Sequence, residues 1–194
     1  MAHVLVIAEV VGGKLRKTTL SSVAFARQVV AKAGGEYSIA VLGSGVADAA
    51  AQAADYGAKA VLVVDNPGLA NYVAAPFAKL VADLANQIGA THVAGSSTTF
   101  TRDFLPRVAA RLGAGMVSET LTVEGDNKYK RPMWAGNVVA TVEVKTPKGV
   151  FVVRGTEFEP ASPTGAKSPI QSVAVAPDGG GNVRWVGFAP TVSA

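Results

Sequence analysis

The stretch HVLVIAEV, residues 3–10, decides how the rest of the chain is interpreted. Apolar and β-branched residues follow one another in it with little of the polar alternation that a half-exposed strand shows. It therefore predicts a strand that is covered on both faces, as in a parallel sheet. Gly12 and Gly13 end this predicted strand.

A helix is expected directly after this strand. Either Thr18 or Thr19 can cap its start, and the glycines at 34 and 35 stop it after Ala33. The residues predicted for its core face are Ser22, Phe25, Ala26, Val29 and Ala33.

The same strand–helix pattern recurs along the first half of the chain. Further strands are predicted at 38–42, 60–64 and 91–95. One helix is predicted from Val46 to Tyr56, and a second along the apolar stripe from Val73 to Ile88, with Pro76 in its first turn. A third is predicted through Leu105, Val108 and Leu112. Asp103 is its candidate cap, and Pro106 lies in its first turn. Short βαβ units imply an α/β fold of three layers, in which a mostly parallel, nucleotide-binding-like sheet has helices on both faces.

The pattern changes after Gly115. Strands are predicted at 118–125, 135–144 and 149–155, with short turns such as Thr146–Gly149 between them. This hairpin-like arrangement predicts antiparallel or mixed strands added to the C-terminal end of the parallel sheet. Residues 1–158 are predicted to form the α/β domain, and residues 159–194 a Pro- and Gly-rich linker or tail, with at most short strands at 172–175 and 183–188.

Composition excludes several classes of function. The 194 residues are 49% hydrophobic and 16% charged, and the net charge is +4. The basic residues are scattered and indicate a solvated face, so no nucleic-acid partner is expected. The absence of cysteine excludes disulfides and thiolate chemistry. The apolar start is too short for a membrane span and resembles no leader, so neither membrane insertion nor export is expected. A cytoplasmic location is predicted. In a eukaryote the mitochondrial matrix is expected instead, although no transit peptide is visible.

Two loops could hold an anion beyond the carboxyl ends of the strands. Gly43, Ser44 and Gly45 precede a helix, so their amides could bind a phosphate, although a tight turn is the favoured explanation of a lone Gly-x-Gly. Ser96, Ser97, Thr98 and Thr99 precede a helix that carries Arg102; their hydroxyls could bind an anion or satisfy the loop's own backbone. Glu9 and Lys14 are expected to be solvated.

No set of residues indicates catalysis. His3 and His92 both lie at strand beginnings, the edge opposite the expected ligand edge, so each is interpreted as structural and no metal site is predicted. A nucleophile elbow and a P-loop are both absent from the sequence. The chain is therefore expected to be no enzyme.

Three segments resemble one family in unbroken order: FLPRVAARL (104–112), RPMWAGN (131–137) and VVRGTEF (152–158). They resemble the N-terminal domain of the α subunit of electron-transferring flavoproteins, and VLVIAE (4–9) is similar to that family's first strand. The resemblance covers residues 3–161. It ends inside the linker, before the Gly-Gly-Arg-Gly segment that opens the family's flavin domain, so no FAD-binding residue is carried over.

The resemblance implies a role in electron transfer. Members of the family are heterodimers of α and β subunits with one FAD. They take electrons from flavin dehydrogenases, including those of fatty acid β-oxidation, and pass them to a quinone-linked acceptor. The expected partners are therefore a β subunit, a C-terminal flavin domain that holds most of the FAD, and flavin dehydrogenases. This chain is expected to be the scaffold that packs against them.

The partner interface is predicted on residues from the matching segments: Arg107, Arg131, Pro132, Trp134, Gly136, Asn137, Arg154 and Gly155. Pro132 predicts a strand start or edge, and Gly136 with Asn137 can supply positive φ for a bend where the parallel sheet passes to its final strands. The alternative is a stand-alone nucleotide-binding domain, similar to universal stress proteins, that uses the loops at 43–45 and 96–99.

Overall fold

The computed structural model describes residues 1–125, 127–175 and 183–189. The strands in it are β1 (Ala2–Ile7), β2 (Val10–Val11), β3 (Lys14–Leu15), β4 (Gly35–Gly43), β5 (Val61–Asp65), β6 (His92–Ser96), β7 (Gly115–Thr120), β8 (Thr122–Gly125), β9 (Lys128–Met133), β10 (Val138–Glu143), β11 (Gly149–Val153) and β12 (Ile170–Ser172). The α-helices are α1 (Thr19–Ala33), α2 (Ala47–Ala53), α3 (Ala74–Gln87) and α4 (Thr99–Leu112).

One seven-stranded sheet, in the order β12-β5-β4-β1-β6-β11-β7, forms the middle layer, and all its strands are parallel. The predicted α/β fold with a parallel sheet between helices is confirmed. The predicted strand at 3–10 is shorter, because β1 ends at Ile7. The chain then turns at Gly12 and Gly13, both with positive φ, so that β2 pairs with β3 in a small hairpin.

The helices cover the two faces of the sheet in pairs. Alternate residues of β1 point to opposite sides, so Val4 and Val6 pack with α1 and α2, whereas Leu5 and Ile7 pack with α3 and α4. The apolar stripe predicted for α3 is confirmed, with Phe77, Leu80, Val81 and Leu84 all buried.

Two helix predictions were wrong in detail. Helix α4 begins at Thr99, so Asp103 and Pro106 lie in its interior, and the cap is Thr98. The predicted core face of α1 holds except for Ala33, which is exposed because the helix has passed the end of the sheet. Neither threonine caps α1 through its side chain: the Thr18 hydroxyl donates to Glu9 Oε2 (3.3 Å), and the Thr19 hydroxyl accepts from the Glu9 amide (3.0 Å).

The antiparallel strands expected at the C-terminal end form a sheet of their own. Strands β8, β9 and β10 make an antiparallel sheet in the order β10-β9-β8, which packs on the same side as α1. Tyr129 of β9 lies 4.5 Å from Phe151 and 6.2 Å from Phe25 between ring centroids. This sheet therefore occupies the position that a crossover helix takes elsewhere in the fold.

The predicted turn at 146–149 does not close a hairpin. Strand β11 follows it but leaves β10 and inserts between β6 and β7 as a parallel strand. All five residues of β11 are buried. A continuous apolar strand of this kind is stable only when both of its faces are covered, which the centre of the large sheet provides.

The last described segments only partly test the predicted tail. A short strand is present, but it lies at 170–172 beside β5, whereas 172–175 was predicted. Residues 183–189 form no strand. The Gly-rich run at 179–181 and the chain beyond 189 fall outside the described residues, so the division at 158 stays a prediction.

Candidate functional site

A cleft of about 1020 Å³ opens at the carboxyl edge of the sheet. It lies beside the position where the strand order reverses: the connection after β1 leads to β4 on one side, and β6 lies on the other. Its walls come from the start of α1, from the loop after β6, from the segment after β11 and from the turn that joins β9 to β10. No helix in the described ranges is long and apolar enough to cross a membrane.

Most of the residues predicted for a partner interface line the cleft. Its lining includes two separate segments of the chain, Arg131, Pro132, Trp134 and Gly136 from one and Arg154 and Gly155 from the other. Asn137 is exposed directly beside this group. Arg107 is not part of it and lies on the exposed side of α4, where its charge acts on Tyr72. That these residues contact a partner remains a prediction.

The charge of Arg107 acts on a hydrogen-bonded pair, Tyr72 and Asp103. The Tyr72 hydroxyl donates to Asp103 Oδ2 at 2.8 Å. Burial is the largest cause that raises the pKa of Tyr72, followed by this hydrogen bond and the Asp103 charge, while Arg107 acts in the opposite direction. Asp103, predicted to cap α4, instead links that helix to the segment before α3.

Positive charge exceeds negative charge in the cleft. Lys17, Arg102, Arg131 and Arg154 line it together with a single carboxylate, that of Glu119. Arg102 is 2.6 Å from that carboxylate. The other three cations have no carboxylate partner anywhere in the described residues.

Glu119 reaches the cleft because β7 contains a bulge. The pairing with β11 shifts register between Val117 and Thr120, and Glu119 has φ of 52°. A bulge re-aims the side chains of the bulged strand. Here it directs Glu119 to Arg102, while Ser118 accepts a hydrogen bond from Arg131 Nη2 at 2.8 Å. The sequence analysis missed Glu119, and no turn residue in the sequence marks the bulge.

Trp134 stands on a strained turn at the mouth of the cleft. Residues 134–137 connect β9 to β10, and Trp134, Ala135 and Gly136 have φ of 52°, 53° and 91°. The indole is 80% exposed. Two non-glycine residues in the left-handed region cost about 1 kcal/mol each or more.

The segment 131–144 is therefore a β-hairpin within the smaller sheet. The predicted bend is present, but Asn137 has φ of −70°, so the positive φ values come before it and not from it. The predicted passage from the parallel sheet to its final strands does not occur here. Pro132 fits its position because β8 pairs with β9 only as far as Lys130, which leaves Pro132 at an edge on that side.

Three of the four hydroxyls of the loop at 96–99, those of Ser96, Ser97 and Thr98, are engaged within the protein. Ser96 Oγ is 2.7 Å from Ser22 Oγ and also donates to the Thr18 carbonyl. Ser97 donates to Glu119 and accepts from Arg102 Nε at 2.8 Å, and Thr98 makes a capping box with Thr101 at the start of α4. Of the two interpretations, these contacts favour the structural one.

The amides of the loop at 43–45 are engaged by a carboxylate of the chain itself. Asp65 accepts hydrogen bonds from the N–H groups of Gly45 (2.8 Å) and Val46 (3.1 Å). Gly43 and Ser44 line a different, smaller cavity of about 410 Å³. The nucleotide-binding alternative uses both the loop at 43–45 and the loop at 96–99. These loops line different cavities, and polar groups of each are bonded to other groups of the chain.

Glu9 was predicted to be solvated, and that prediction was wrong. It is only 7% exposed and accepts hydrogen bonds from Arg16 Nη1 (2.7 Å) and the Thr18 hydroxyl (3.3 Å). The loop after β1 folds back over its side chain, so burial is offset by an ion pair. Lys14 is exposed, as predicted.

Both histidines lie at the amino edge of the sheet, as predicted. His92 is buried, with Nδ1 2.8 Å from the Thr91 hydroxyl and Nε2 3.0 Å from the Tyr129 hydroxyl. Burial lowers the pKa of His92 to about 4, and burial raises the pKa of Tyr129. Within the described ranges, no group of three or more metal-binding side chains occurs.

Comparison with known proteins agrees with this fold. The family model described as the electron transfer flavoprotein domain matches residues 4–178. The chain is 36% identical over 178 residues to the electron transfer flavoprotein subunit alpha of Pseudomonas aeruginosa, a match that covers 91% of this chain and 56% of that protein. It is 33% identical to Protein FixB of Clostridium saccharobutylicum, with 89% of this chain and 53% of that protein covered.

A third relative, the electron transfer flavoprotein subunit alpha of Paracoccus denitrificans, is 32% identical over 91% of this chain and 56% of its own length. The chain thus spans about half the length of the curated relatives it matches. The family model covers most of the chain and includes the strands and helices that build the cleft. The chain belongs to the electron transfer flavoprotein family.

Proposed function

We propose that this chain is the N-terminal scaffold and partner-interface domain of an electron transfer flavoprotein alpha subunit. In this role it supports electron transfer from flavin dehydrogenases, through FAD, to a quinone-linked acceptor. Members of the family are electron carriers rather than catalysts, and their alpha subunits pair with a beta subunit. A carrier protein contributes the positioning of the flavin and the electrostatics around it.

The observation that carries the proposal is the composition of the cleft. Arg131, Trp134 and Arg154 come from two of the matching segments, and they converge at one edge of the sheet. Two of these side chains are cations without a carboxylate partner in the described residues, and the third is a largely exposed indole. Arginine and tryptophan are enriched where protein partners bind, so their convergence in one cleft supports an interface role.

The FAD of the assembled flavoprotein is proposed to lie mainly on a C-terminal flavin domain. The two loops of this chain that could cradle a pyrophosphate do not fit that group, because Asp65 occupies the amides of Gly45 and Val46 and the chain's own groups engage the hydroxyls of Ser96, Ser97 and Thr98. The contribution of this chain is therefore to hold the flavin-bearing domain and the beta subunit in place.

Co-expression with the beta subunit and C-terminal flavin domain of the same organism tests the proposal. We expect a single complex in gel filtration, with flavin absorbance that follows the complex and not this chain alone. Elution of the chain as a separate species would contradict the scaffold role. A chain that is yellow when purified alone would contradict the proposed location of the FAD.

Titration of the isolated chain with AMP and ATP tests the nucleotide-binding alternative. We expect no heat of binding at micromolar nucleotide, because the backbone amides after β4 already hold a carboxylate. Micromolar binding that is lost when Ser97 and Thr98 are replaced by alanine would favour the alternative.

A further inference from the structure

We propose that the cleft receives an acidic segment of the beta subunit, with carboxylates between Lys17, Arg131 and Arg154 and an apolar neighbour against Trp134. This inference rests on the proposed function and goes further by naming the chemistry of the docked segment.

The cleft carries an excess of positive charge. Lys17 and Arg154 are exposed at the cleft, and neither makes a hydrogen bond or ion pair through its side chain in the described part of the chain. Arg131 makes one hydrogen bond, to a serine. Glu119, the cleft's carboxylate, is already engaged by Arg102 and Ser97. The cleft therefore offers three cations and no internal carboxylate to neutralise them, which favours an anionic occupant.

The guanidinium of Arg131 is only partly paired. Its Nε atom is buried and has no hydrogen-bond partner in the described residues. A buried donor without an acceptor is costly, and a guanidinium pairs best with a planar, two-oxygen acceptor. A carboxylate in the cleft would neutralise this guanidinium, which the uncharged Ser118 hydroxyl does not.

The mouth of the cleft has an apolar rim. Met133 (40% exposed) and Trp134 (80%) line the cleft, and Val138 (50%), the pairing partner of Met133, lies beside them. A phosphate or nucleotide needs no such rim, whereas a protein partner buries apolar side chains around its charged contacts. The rim lies on the β9–β10 hairpin, directly beside Arg131 and Pro132.

Hydrogen bonds and backbone conformation hold the wall of the cleft in place. The bulge in β7 orients Glu119, and the Glu119–Arg102–Ser97 group joins β7 to the start of α4. The left-handed turn at Trp134 and Ala135 holds the indole outward. Strain of this kind persists where the surrounding structure supports it, and it is concentrated at functional sites. A rigid cleft lowers the entropic cost of docking a segment.

Two charge reversals test the inference. Arg154→Glu and Lys17→Glu change exposed side chains, so the fold is retained, which circular dichroism verifies. The matched control is Arg111→Glu, which makes the same change in net charge in the last turn of α4, about 13 Å along the helix from Arg102. Affinity for the co-purified beta subunit is measured by calorimetry at 50 and 300 mM NaCl.

We expect each reversal in the cleft to weaken binding at least about 10-fold, and the control to stay within about threefold of the unmodified chain. The difference is expected to shrink at 300 mM NaCl, because salt screens exposed charges. A complex that forms equally well with Arg154→Glu and Arg111→Glu would overturn the inference and leave the scaffold role intact. Absence of any complex with the unmodified chain would overturn both.

Inorganic phosphate separates the protein segment from a small anion. At constant ionic strength, 10 mM phosphate in place of chloride is expected to change the affinity for the beta subunit by less than about threefold. Direct binding of phosphate to the isolated chain at micromolar concentration, lost in Arg154→Glu, would show a small-anion site and overturn the inference.

Discussion

The carboxylate of Asp65 accepts a hydrogen bond from the backbone N–H of Gly45 at 2.8 Å, and Val46 donates a second at 3.1 Å. Asp65 stands at the end of β5, whereas the two donors lie at the start of α2. The protein thus places its own anion where a parallel sheet often binds a phosphate.

Asp65→Ala is expected to lower the free energy of unfolding by about 1–2 kcal/mol, because two N–H groups lose their acceptor at a helix start. Urea unfolding at pH 7 measures the change. Asp48→Ala is the control, since Asp48 lies in the first turn of the same helix and makes no side-chain hydrogen bond in the described residues. Equal losses in the two variants would show that charge near the helix, and not these hydrogen bonds, is responsible.

Stability is expected to depend on pH through His92. Burial lowers the pKa of His92 from its ordinary 6.5 to about 4. Because the pKa is lower in the folded state than in the unfolded state, the contribution of neutral His92 is complete above about pH 6.5 and is lost as the pH falls toward 4. The loss is at most about 1.4 kcal/mol per pH unit within this window.

The comparison of the unmodified chain with His92→Gln isolates this effect. Urea unfolding at pH 4.5, 5.5, 6.5 and 7.5 gives the stability difference between them, in which contributions from His3 and the carboxylates largely cancel. That difference should shrink steadily below pH 6.5. A difference that stays constant from pH 4.5 to 7.5 would mean that His92 does not resist protonation in the fold.

Gly35→Ala is expected to be severely destabilising. Gly35 has φ of 120°, and a Cβ atom there would lie 1.9 Å from the backbone oxygen of Ala2 on the neighbouring strand. Since backbone atoms of β1 cannot move away without breaking the β1–β4 pairing, we expect a loss of about 3 kcal/mol or more. Thermal unfolding followed by circular dichroism measures it.

Gly34 supplies the matched control for that prediction. It also has positive φ, 67°, but a Cβ atom there would meet nothing within 4 Å. Gly34→Ala is therefore expected to cost only the backbone strain of φ 67° and ψ 162°, about 1–3 kcal/mol, and so less than Gly35→Ala, which adds the contact with β1. Losses of similar size at both positions would show that conformation, and not the contact with β1, sets the requirement for glycine.

The sequence predicted the helices and the early strands well because their signals are local. The apolar spacing from Val73 to Ile88 and the apolar run at 3–10 each indicate a buried element from neighbouring residues alone. The place of β11 is not local: the predicted turn at Thr146–Gly149 indicates a hairpin, but the burial of GVFVV on both faces requires the centre of the parallel sheet. The apolar run GVFVV could have predicted a central parallel strand, because β1 has the same kind of continuous apolar sequence.

The candidate site was predictable only in part, for the same reason. Arg131, Trp134 and Arg154 lie within segments that resemble the family, so they could be named in advance. Glu119 could not, because its position depends on a bulge formed against β11. The occupation of the Gly45 amide by Asp65 likewise depends on the pairing of β4 with β5, which brings Gly43 opposite Asp65.

Trp134→Ala is expected to separate binding from folding. The indole is 80% exposed, and alanine keeps the same left-handed backbone requirement, so the free energy of unfolding should change by no more than about 0.5 kcal/mol. Tryptophans at the centre of protein interfaces contribute strongly to binding, so affinity for the beta subunit should fall at least about 10-fold. Trp185→Ala is the control, because Trp185 is also exposed, at 47%, but lines a different cavity near the start of α3. Calorimetric titration of both variants with the beta subunit measures the effect, and equal affinities for Trp134→Ala and the unmodified chain would remove Trp134 from the interface.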